Sequence, residues 1–134
     1  KDLKTVPIVC YETIYGEYVA DYVDLGANFI TIITNDACWF DSPGHRHLVS
    51  YARLRAIENR RYVVRSANSG VSAIINEVGE YKAKLPFDDK GTLSGRAYTI
   101  DKRTFYSKNG DYIARISILI SILLLLISFS KLKK

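Results

Sequence analysis

The chain has 134 residues, of which 48% are apolar and 25% are charged, so its composition is that of a globular domain and excludes a disordered or collagen-like protein. Four of its 19 basic residues lie beyond residue 112, which leaves 15 basic against 14 acidic residues in residues 1–112. A nearly neutral body lacks the basic surface that nucleic-acid binding requires, so we expect no nucleic-acid partner. Two cysteines are too few for a disulfide scaffold.

The amino-terminal residues carry no targeting signal. The sequence contains no methionine, and a short charged stretch leads directly into an apolar run. We therefore expect the chain to be the C-terminal piece of a longer protein.

The first elements alternate between strand and helix patterns. Val6–Val9 and Phe29–Ile33 are short apolar runs rich in β-branched residues, which predict buried strands. Between them, the apolar residues of Tyr15–Val23 recur at helical spacing, and Gly26 lies where a left-handed residue commonly ends a helix. This order of elements predicts an α/β layer.

A second amphipathic helix over Leu48–Ile57 is predicted after a loop over Ala37–Gly44. Its charged residues are predicted to lie mostly on the solvent side. They are Arg53, Arg55, Glu58 and Arg60. Arg61 and Arg65 are interpreted as part of the same salt-bridged face. Further along, turns at Asn68–Gly70 and at Gly79 separate β-branched runs, which predicts hairpins.

The segment Ile113–Ser130 contains one charged residue, Arg115, and has no polar face. As an α-helix it would span roughly 27 Å, close to the ~30 Å hydrocarbon thickness of a bilayer. A core helix is the alternative, because the charge-free part is only Ile116–Ser130. The basic tail 131–134 favours a membrane span with the C-terminus in the cytoplasm and residues 1–112 on the opposite side.

Cys10 follows the first predicted strand, where α/β folds present functional side chains. Glu12 lies two residues further on, and the backbone N–H of Tyr11 is positioned to stabilise a developing oxyanion. This pattern indicates a nucleophilic cysteine, whereas buried cysteines in general are inert. Spacing alone leaves both interpretations open.

The predicted substrate-binding residues follow the second strand. They are Asn35, Asp36 and Trp39. A turn or N-cap role explains the first two equally well. A metal cluster of Asp36, Asp41, His45 and His47 is a further alternative, but histidines beside Arg46 are more often solvated or cap a helix, and we expect no metal. Cys38 is interpreted as a bystander.

In this chain, Val-Pro-Ile-Val directly precedes Cys10-Tyr11-Glu12. These residues resemble the nucleophile motif of the carbon–nitrogen hydrolase, or nitrilase, superfamily. Later segments resemble one branch of it, the apolipoprotein N-acyltransferases, in their order and spacing. These segments are Thr34–Ala37, Trp39-Phe40, Asp41–Gly44, His47-Leu48, Ala52–Glu58 and Arg65–Ala73. The resemblance extends from Val6 to the C-terminus, because that branch also returns to the membrane through a last helix.

The resemblance implies an α/β fold: residues 1–112 would form part of an α-β-β-α nitrilase-like sandwich on the periplasmic face of a bacterial inner membrane, followed by one C-terminal transmembrane helix. Cys10 would attack a phospholipid ester and hold the acyl chain as a thioester, with the Tyr11 N–H in the oxyanion hole and Glu12 as a supporting carboxylate. The amine of a diacylglyceryl-apolipoprotein would then accept the acyl chain. No cofactor is implied.

The family's general base, a glutamate, and its second oxyanion group, a lysine, lie on earlier strands and loops, upstream of residue 1. Glu17 and Lys4 are not assigned these roles and are predicted to be solvated. The fragment alone is therefore expected to be inactive. Two other functions stay open, namely a soluble amidase or nitrilase that uses water as acceptor, and an inactive membrane-anchored domain.

Overall fold

The computed structural model describes residues 2–40 and 42–132. The strands are β1 (Thr5–Val9), β2 (Phe29–Asn35), β3 (Val63–Asn68), β4 (Ser72–Ile75) and β5 (Tyr81–Leu85), and the helices are α1 (Gly16–Asp24), α2 (Pro43–Asn59), α3 (Phe105–Asn109) and α4 (Tyr112–Leu132). The strands form one sheet in the order β1-β2-β3-β4-β5. The first three are parallel, and β4 and β5 continue the sheet as antiparallel hairpins. The predicted α/β class is confirmed.

The helices α1 and α2 cover one face of the sheet, because alternate strand residues on that face are apolar. These residues are Val6, Ile8, Ile30, Ile32 and Val63, each at most 1% exposed. Ala52 and Ala56 of α2 join the same core and are fully buried. Their small side chains let α2 lie close to the sheet.

The opposite face is open at the β1–β2 end. Val9 and Ile33 pair in register on neighbouring strands, and they are 55% and 60% exposed. The segment 86–104 passes over the other end of this face, where Gly95 lies close against Ile74. The described structure therefore presents an exposed apolar surface on β1 and β2.

The loop after β2 is shorter than predicted. α2 begins at Pro43, because the Ser42 hydroxyl caps the helix by accepting a hydrogen bond from the Gly44 N–H at 3.2 Å. Proline is suited to the first turn of a helix, because the N–H that it lacks would have no hydrogen-bond acceptor within the helix there. A 3₁₀ turn over Ala37–Trp39 lies within the shortened loop.

Three arginines that were predicted on a solvent-facing helix surface are buried instead. Arg55, Arg61 and Arg65 are 4%, 1% and 2% exposed. Arg55 pairs with Glu58, Arg65 pairs with Asp36, and Arg61 donates to several backbone carbonyls. The prediction was wrong because Arg61 lies beyond α2 and Arg65 lies in β3, and because Arg55 points into the protein.

The apolar stripe that was predicted for α2 is only partly buried. Leu48 is 4% exposed, but Tyr51, Leu54 and Ile57 are 39–43% exposed. The buried face of α2 thus runs through Leu48, the alanines and Arg55, whereas the other three apolar side chains of the predicted stripe are exposed.

The helix α4 is apolar on all sides, and the span Tyr112–Lys131 has a mean hydropathy of 2.4 with no part of it buried. It is therefore not a core helix of the described structure, and by length and composition it could cross a membrane. Lys133 and Lys134 of the predicted basic tail lie outside the described residues. The Glu17 side chain of α1, predicted to be solvated, is 45% exposed, and it also accepts hydrogen bonds from the Asp111 N–H and from Arg115 in the first turn of α4.

Candidate active site

Cys10 lies at the carboxyl end of β1, as the first residue of a 3₁₀ turn over Cys10–Ile14. Its φ of 51° is in the left-handed region, which non-glycine residues rarely adopt. Thr13 donates from its hydroxyl to the Cys10 carbonyl at 2.9 Å and so helps to hold the turn. The result is a half-buried free thiol on a strained backbone at the edge of the sheet, and such strain is concentrated at functional sites.

The Glu12 carboxylate supports this turn from within. Its Oε2 accepts a hydrogen bond at 2.8 Å from the N–H of Val9, the residue before Cys10. Its Oε1 accepts from the Tyr18 hydroxyl at 3.4 Å. Both oxygens are therefore occupied as acceptors, an arrangement that fits a supporting carboxylate beside the nucleophile.

Tyr18 was not identified from the sequence, where its spacing indicated only the buried face of α1. Its hydroxyl also lies 3.3 Å from that of Tyr22. The hydrogen bond with Tyr22, partial burial and the negative charge of Glu12 together raise the pKa of Tyr18 to about 12. Tyr18 therefore stays a neutral donor to Glu12 throughout the physiological pH range.

The parallel strands bring the predicted site residues to one edge. Val9 pairs with Ile33, and Asn35 pairs with Asn68, so the carboxyl ends of β1, β2 and β3 lie side by side. Cys10 and Asn35 therefore share an edge, as carboxyl-end sites in α/β sheets do. The exposed Asn35 accepts a hydrogen bond from the Ala37 N–H at 3.1 Å, which stabilises the turn after β2.

Asp36 is completely buried, and both of its oxygens are bonded. Thr34 donates to Oδ1 at 2.8 Å and Arg65 donates to Oδ2 at 2.7 Å. Gly70 approaches so closely that an added Cβ would lie 2.5 Å from Oδ2. These contacts fix the end of β2, and a direct contact of Asp36 with substrate stays a prediction.

Trp39 packs over the first turn of α2. A Cβ at Gly44 would lie 2.8 Å from the Cδ2 atom of the indole, so glycine is needed at that position. The indole is still 38% exposed. Tyr11 is 50% exposed and its ring meets that of Tyr15 edge to face. Substrate binding by Trp39 and an oxyanion role for the Tyr11 N–H also stay predictions.

The histidines of the imagined metal cluster do not converge. His45 lies buried in α2, with its Nδ1 3.2 Å from the Phe40 carbonyl and its ring against Phe87. Of the two predicted roles, a solvated side chain or a helix cap, the burial contradicts the first. His47 is exposed, and Asp41 lies outside the described residues. Among residues 2–40 and 42–132, no three His, Cys, Asp or Glu side chains are grouped to hold a metal ion. Cys38 is exposed.

A cavity of about 590 Å³ lies between the nucleophile turn and the start of α4. Its lining residues come from both sides. They include Glu12, Tyr15, Glu17, Tyr18, Tyr106 and Asp111. The cavity thus connects the surroundings of Cys10 with the junction to the apolar helix.

Comparison with known proteins identifies relatives over most of the chain. Residues 2–99 match the carbon-nitrogen hydrolase family. The apolipoprotein N-acyltransferase of Shewanella oneidensis is 35% identical over 108 residues, which is 81% of this chain and 21% of the relative. That of Chlorobaculum tepidum is 33% identical over 121 residues, 90% of this chain and 23% of the relative. The chain therefore spans about a fifth of the length of these curated relatives.

Solved structures share the fold at low sequence identity. A carbon-nitrogen hydrolase from Helicobacter pylori superposes with a TM-score of 0.59 at 15% identity, over 65% of this chain and 38% of that chain. Nit3 of Saccharomyces cerevisiae, a member of branch 10 of the nitrilase superfamily, superposes with a TM-score of 0.50 at 20% identity, over 64% of this chain and 34% of that chain. The nitrilase-like sheet, the strained cysteine at its edge and the match over residues 2–99 lead to one conclusion: the chain belongs to the carbon–nitrogen hydrolase family.

Proposed function

We propose that this chain supplies the nucleophile of a membrane acyltransferase that moves an acyl chain from a phospholipid to the N-terminal amine of an apolipoprotein. The observation that carries the proposal is Cys10, held with φ 51° at the carboxyl end of β1 and supported by the hydrogen bond from Val9 to Glu12. The names of the curated relatives support this class of reaction.

The reaction proceeds in two steps. The Cys10 thiol loses its proton and attacks the ester carbonyl of the phospholipid as the thiolate. The ester C–O bond breaks, the departing lysophospholipid oxygen takes up the proton that the thiol lost, and the acyl chain stays on sulfur as a thioester. The apolipoprotein amine then attacks the thioester carbonyl and the C–S bond breaks. One proton of the amine passes to the sulfur, which restores the Cys10 thiol. Both steps pass through an oxyanion, for which the Tyr11 N–H is the proposed donor on this chain.

The proposed membrane arrangement takes α4 as the membrane span. We place the span at residues 113–130, with the basic tail 131–134 in the cytoplasm and residues 1–112 in the periplasm of a bacterial inner membrane. The Phe105 and Tyr112 rings lie 5.0 Å apart at the start of α4, and aromatic side chains are enriched at membrane–water interfaces. This arrangement brings the cysteine to the surface on which both substrates reside.

The proposal is tested in a chimera in which this chain replaces the matching 108 residues of the Shewanella relative. With a phospholipid labelled in its acyl chain and a diacylglyceryl lipopeptide as acceptor, we expect labelled N-acyl peptide. Cys10→Ala abolishes the product, whereas Cys38→Ala is the matched control and retains it. Release of free fatty acid in place of N-acyl peptide would favour the hydrolase alternative.

A further inference from the structure

We propose that Glu17 clamps the start of α4 to α1 and thereby sets the height of Cys10 above the bilayer. Glu17 is in this sense a positioning residue for the nucleophile turn. The inference rests on the proposed function, because it takes α4 as the membrane span and Cys10 as the nucleophile.

One oxygen of the Glu17 carboxylate joins α1 both to the connection between α3 and α4 and to α4 itself. Glu17 Oε1 accepts a hydrogen bond from the Asp111 N–H at 2.7 Å and another from Arg115 Nη2 at 2.7 Å. Arg115 Nη1 also donates to the Asn109 carbonyl at 3.1 Å. The end of α3, the connection and the first turn of α4 are therefore all tied to the first turn of α1.

The backbone at Gly110 shows that this contact is built into the fold. Gly110 has φ 63° and ψ −150°, a conformation suited to glycine. A Cβ at this position would run into the Glu17 carboxylate and would lie 3.1 Å from Arg115 Nη2. The connection can approach Glu17 so closely only because residue 110 lacks a side chain.

A short, fixed path leads from the clamp to the nucleophile. Residues 11–16 alone separate Glu17 from Cys10. Arg55 donates to the Ile14 carbonyl at 3.2 Å, and Thr13 donates to the Cys10 carbonyl. The hydroxyl of Tyr106 in α3 lies against Gly16. Because this path is held at each step, a displacement of α4 relative to α1 displaces Cys10 relative to the membrane.

The surroundings of the clamp determine its strength. The Arg115 and Glu17 side chains are 65% and 45% exposed, and an ion pair so exposed contributes little in water. At the start of a membrane span the lower dielectric strengthens the attraction. The Asp111 hydrogen bond and the fit at Gly110 add to it, so the junction acts as a rigid connection rather than a flexible linker.

The test measures the height of Cys10 in the full chain inserted into phospholipid vesicles. Cys38→Ser leaves Cys10 as the single thiol, which is labelled with a fluorophore, and vesicle lipids carry a nitroxide quencher on the headgroup. We expect strong quenching in this chain and a loss of quenching in Glu17→Ala and in Arg115→Gln. Asp21→Ala removes an exposed carboxylate further along α1 and is the matched control, which keeps the original quenching.

Each outcome decides the proposal. Arg115→Gln leaves α1 unaltered, so a loss of quenching in both variants supports the clamp. Unchanged quenching in both variants would overturn it, and so would a loss confined to Glu17→Ala, which would assign the effect to α1 itself. Absence of quenching in the Cys38→Ser parent would show that Cys10 does not lie near the bilayer surface and would overturn the proposal that the clamp holds it there. Acyl transfer is not measured, so an inactive chimera and a failed clamp are distinguishable.

Discussion

Arg65 and Asp36 form an ion pair inside the protein, with Nη2 and Oδ2 2.7 Å apart and the two side chains 1% and 0% exposed. The pair joins β3 to the residue that follows β2, at the sheet edge where Cys10 lies. Arg65 also donates to the Val71 carbonyl, and Thr34 donates to the other Asp36 oxygen. This network therefore fixes the shape of the edge on which the candidate site is built.

Asp36→Ala is expected to lower the free energy of unfolding by about 3–5 kcal/mol, because it leaves the Arg65 guanidinium buried without a counter-charge. Urea denaturation of the chain in detergent, followed by Trp39 fluorescence, measures the loss. Arg103→Ala removes an exposed pair with Asp24 and is the control, with a loss of at most about 1 kcal/mol. Equal losses in the two variants would contradict a structural role for the buried pair.

The open face of β1 and β2 is expected to make residues 2–112 associate when they are produced without α4. Exposed apolar strand surface is a site of association, and Val9 and Ile33 lie on this face. Val9→Thr with Ile33→Thr should lower the sedimentation-derived association constant. Leu25→Thr, at a position 85% exposed and outside the sheet, should leave it unchanged. A monomer with sharp cooperative unfolding would instead favour an autonomous, inactive domain.

Arginine at both Leu123 and Leu124 is expected to prevent insertion of α4, since each arginine costs about 2.5–3.5 kcal/mol at the centre of a membrane helix on insertion scales. Membrane fractionation followed by a carbonate wash measures insertion. Alanine at the same two positions is the matched control and should leave the chain in the membrane fraction. Retention of the arginine variant after the wash would show that another part of the chain holds it there.

Tyr18 is expected to ionise later than an ordinary tyrosine, because its pKa is raised from 10.0 to about 12. Because the folded-state pKa lies above the unfolded value, the stability that the neutral Tyr18 hydroxyl gives to the folded state is fully present below about pH 10. It is lost as the pH rises towards 12. The rise in tyrosinate absorbance with pH measures this. Tyr18→Phe should reduce the amplitude of the absorbance step at the highest pH. Tyr22→Phe should shift the ionisation of Tyr18 to lower pH, because it removes the main hydrogen-bond partner of Tyr18. If the highest step kept its amplitude in Tyr18→Phe, the raised pKa of Tyr18 would be contradicted.

Local periodicity predicted the main elements because their patterns depend only on neighbouring residues. The strands around Val6–Val9 and Phe29–Ile33, and the placement of Cys10 after the first of them, are confirmed. The burial of Arg65 could not be predicted in this way, because its partner Asp36 lies 29 residues away. An arginine with no nearby acidic residue in the sequence has the same local pattern as an arginine that faces solvent. The contact between Tyr18 and Glu12 likewise depends on how α1 turns back after the 3₁₀ turn.

The most direct test of Cys10 as the nucleophile is to locate the acyl group by mass spectrometry, in the chimera incubated with phospholipid but without acceptor. A Cys10 nucleophile predicts an acyl thioester on the peptide that contains Cys10, present in Cys38→Ala and absent in Cys10→Ala. Cys10→Ser should also lack an acyl group, because a hydroxyl is far harder to deprotonate than a thiol. An acyl group on Cys38, or full transfer activity in Cys10→Ala, would contradict the assignment.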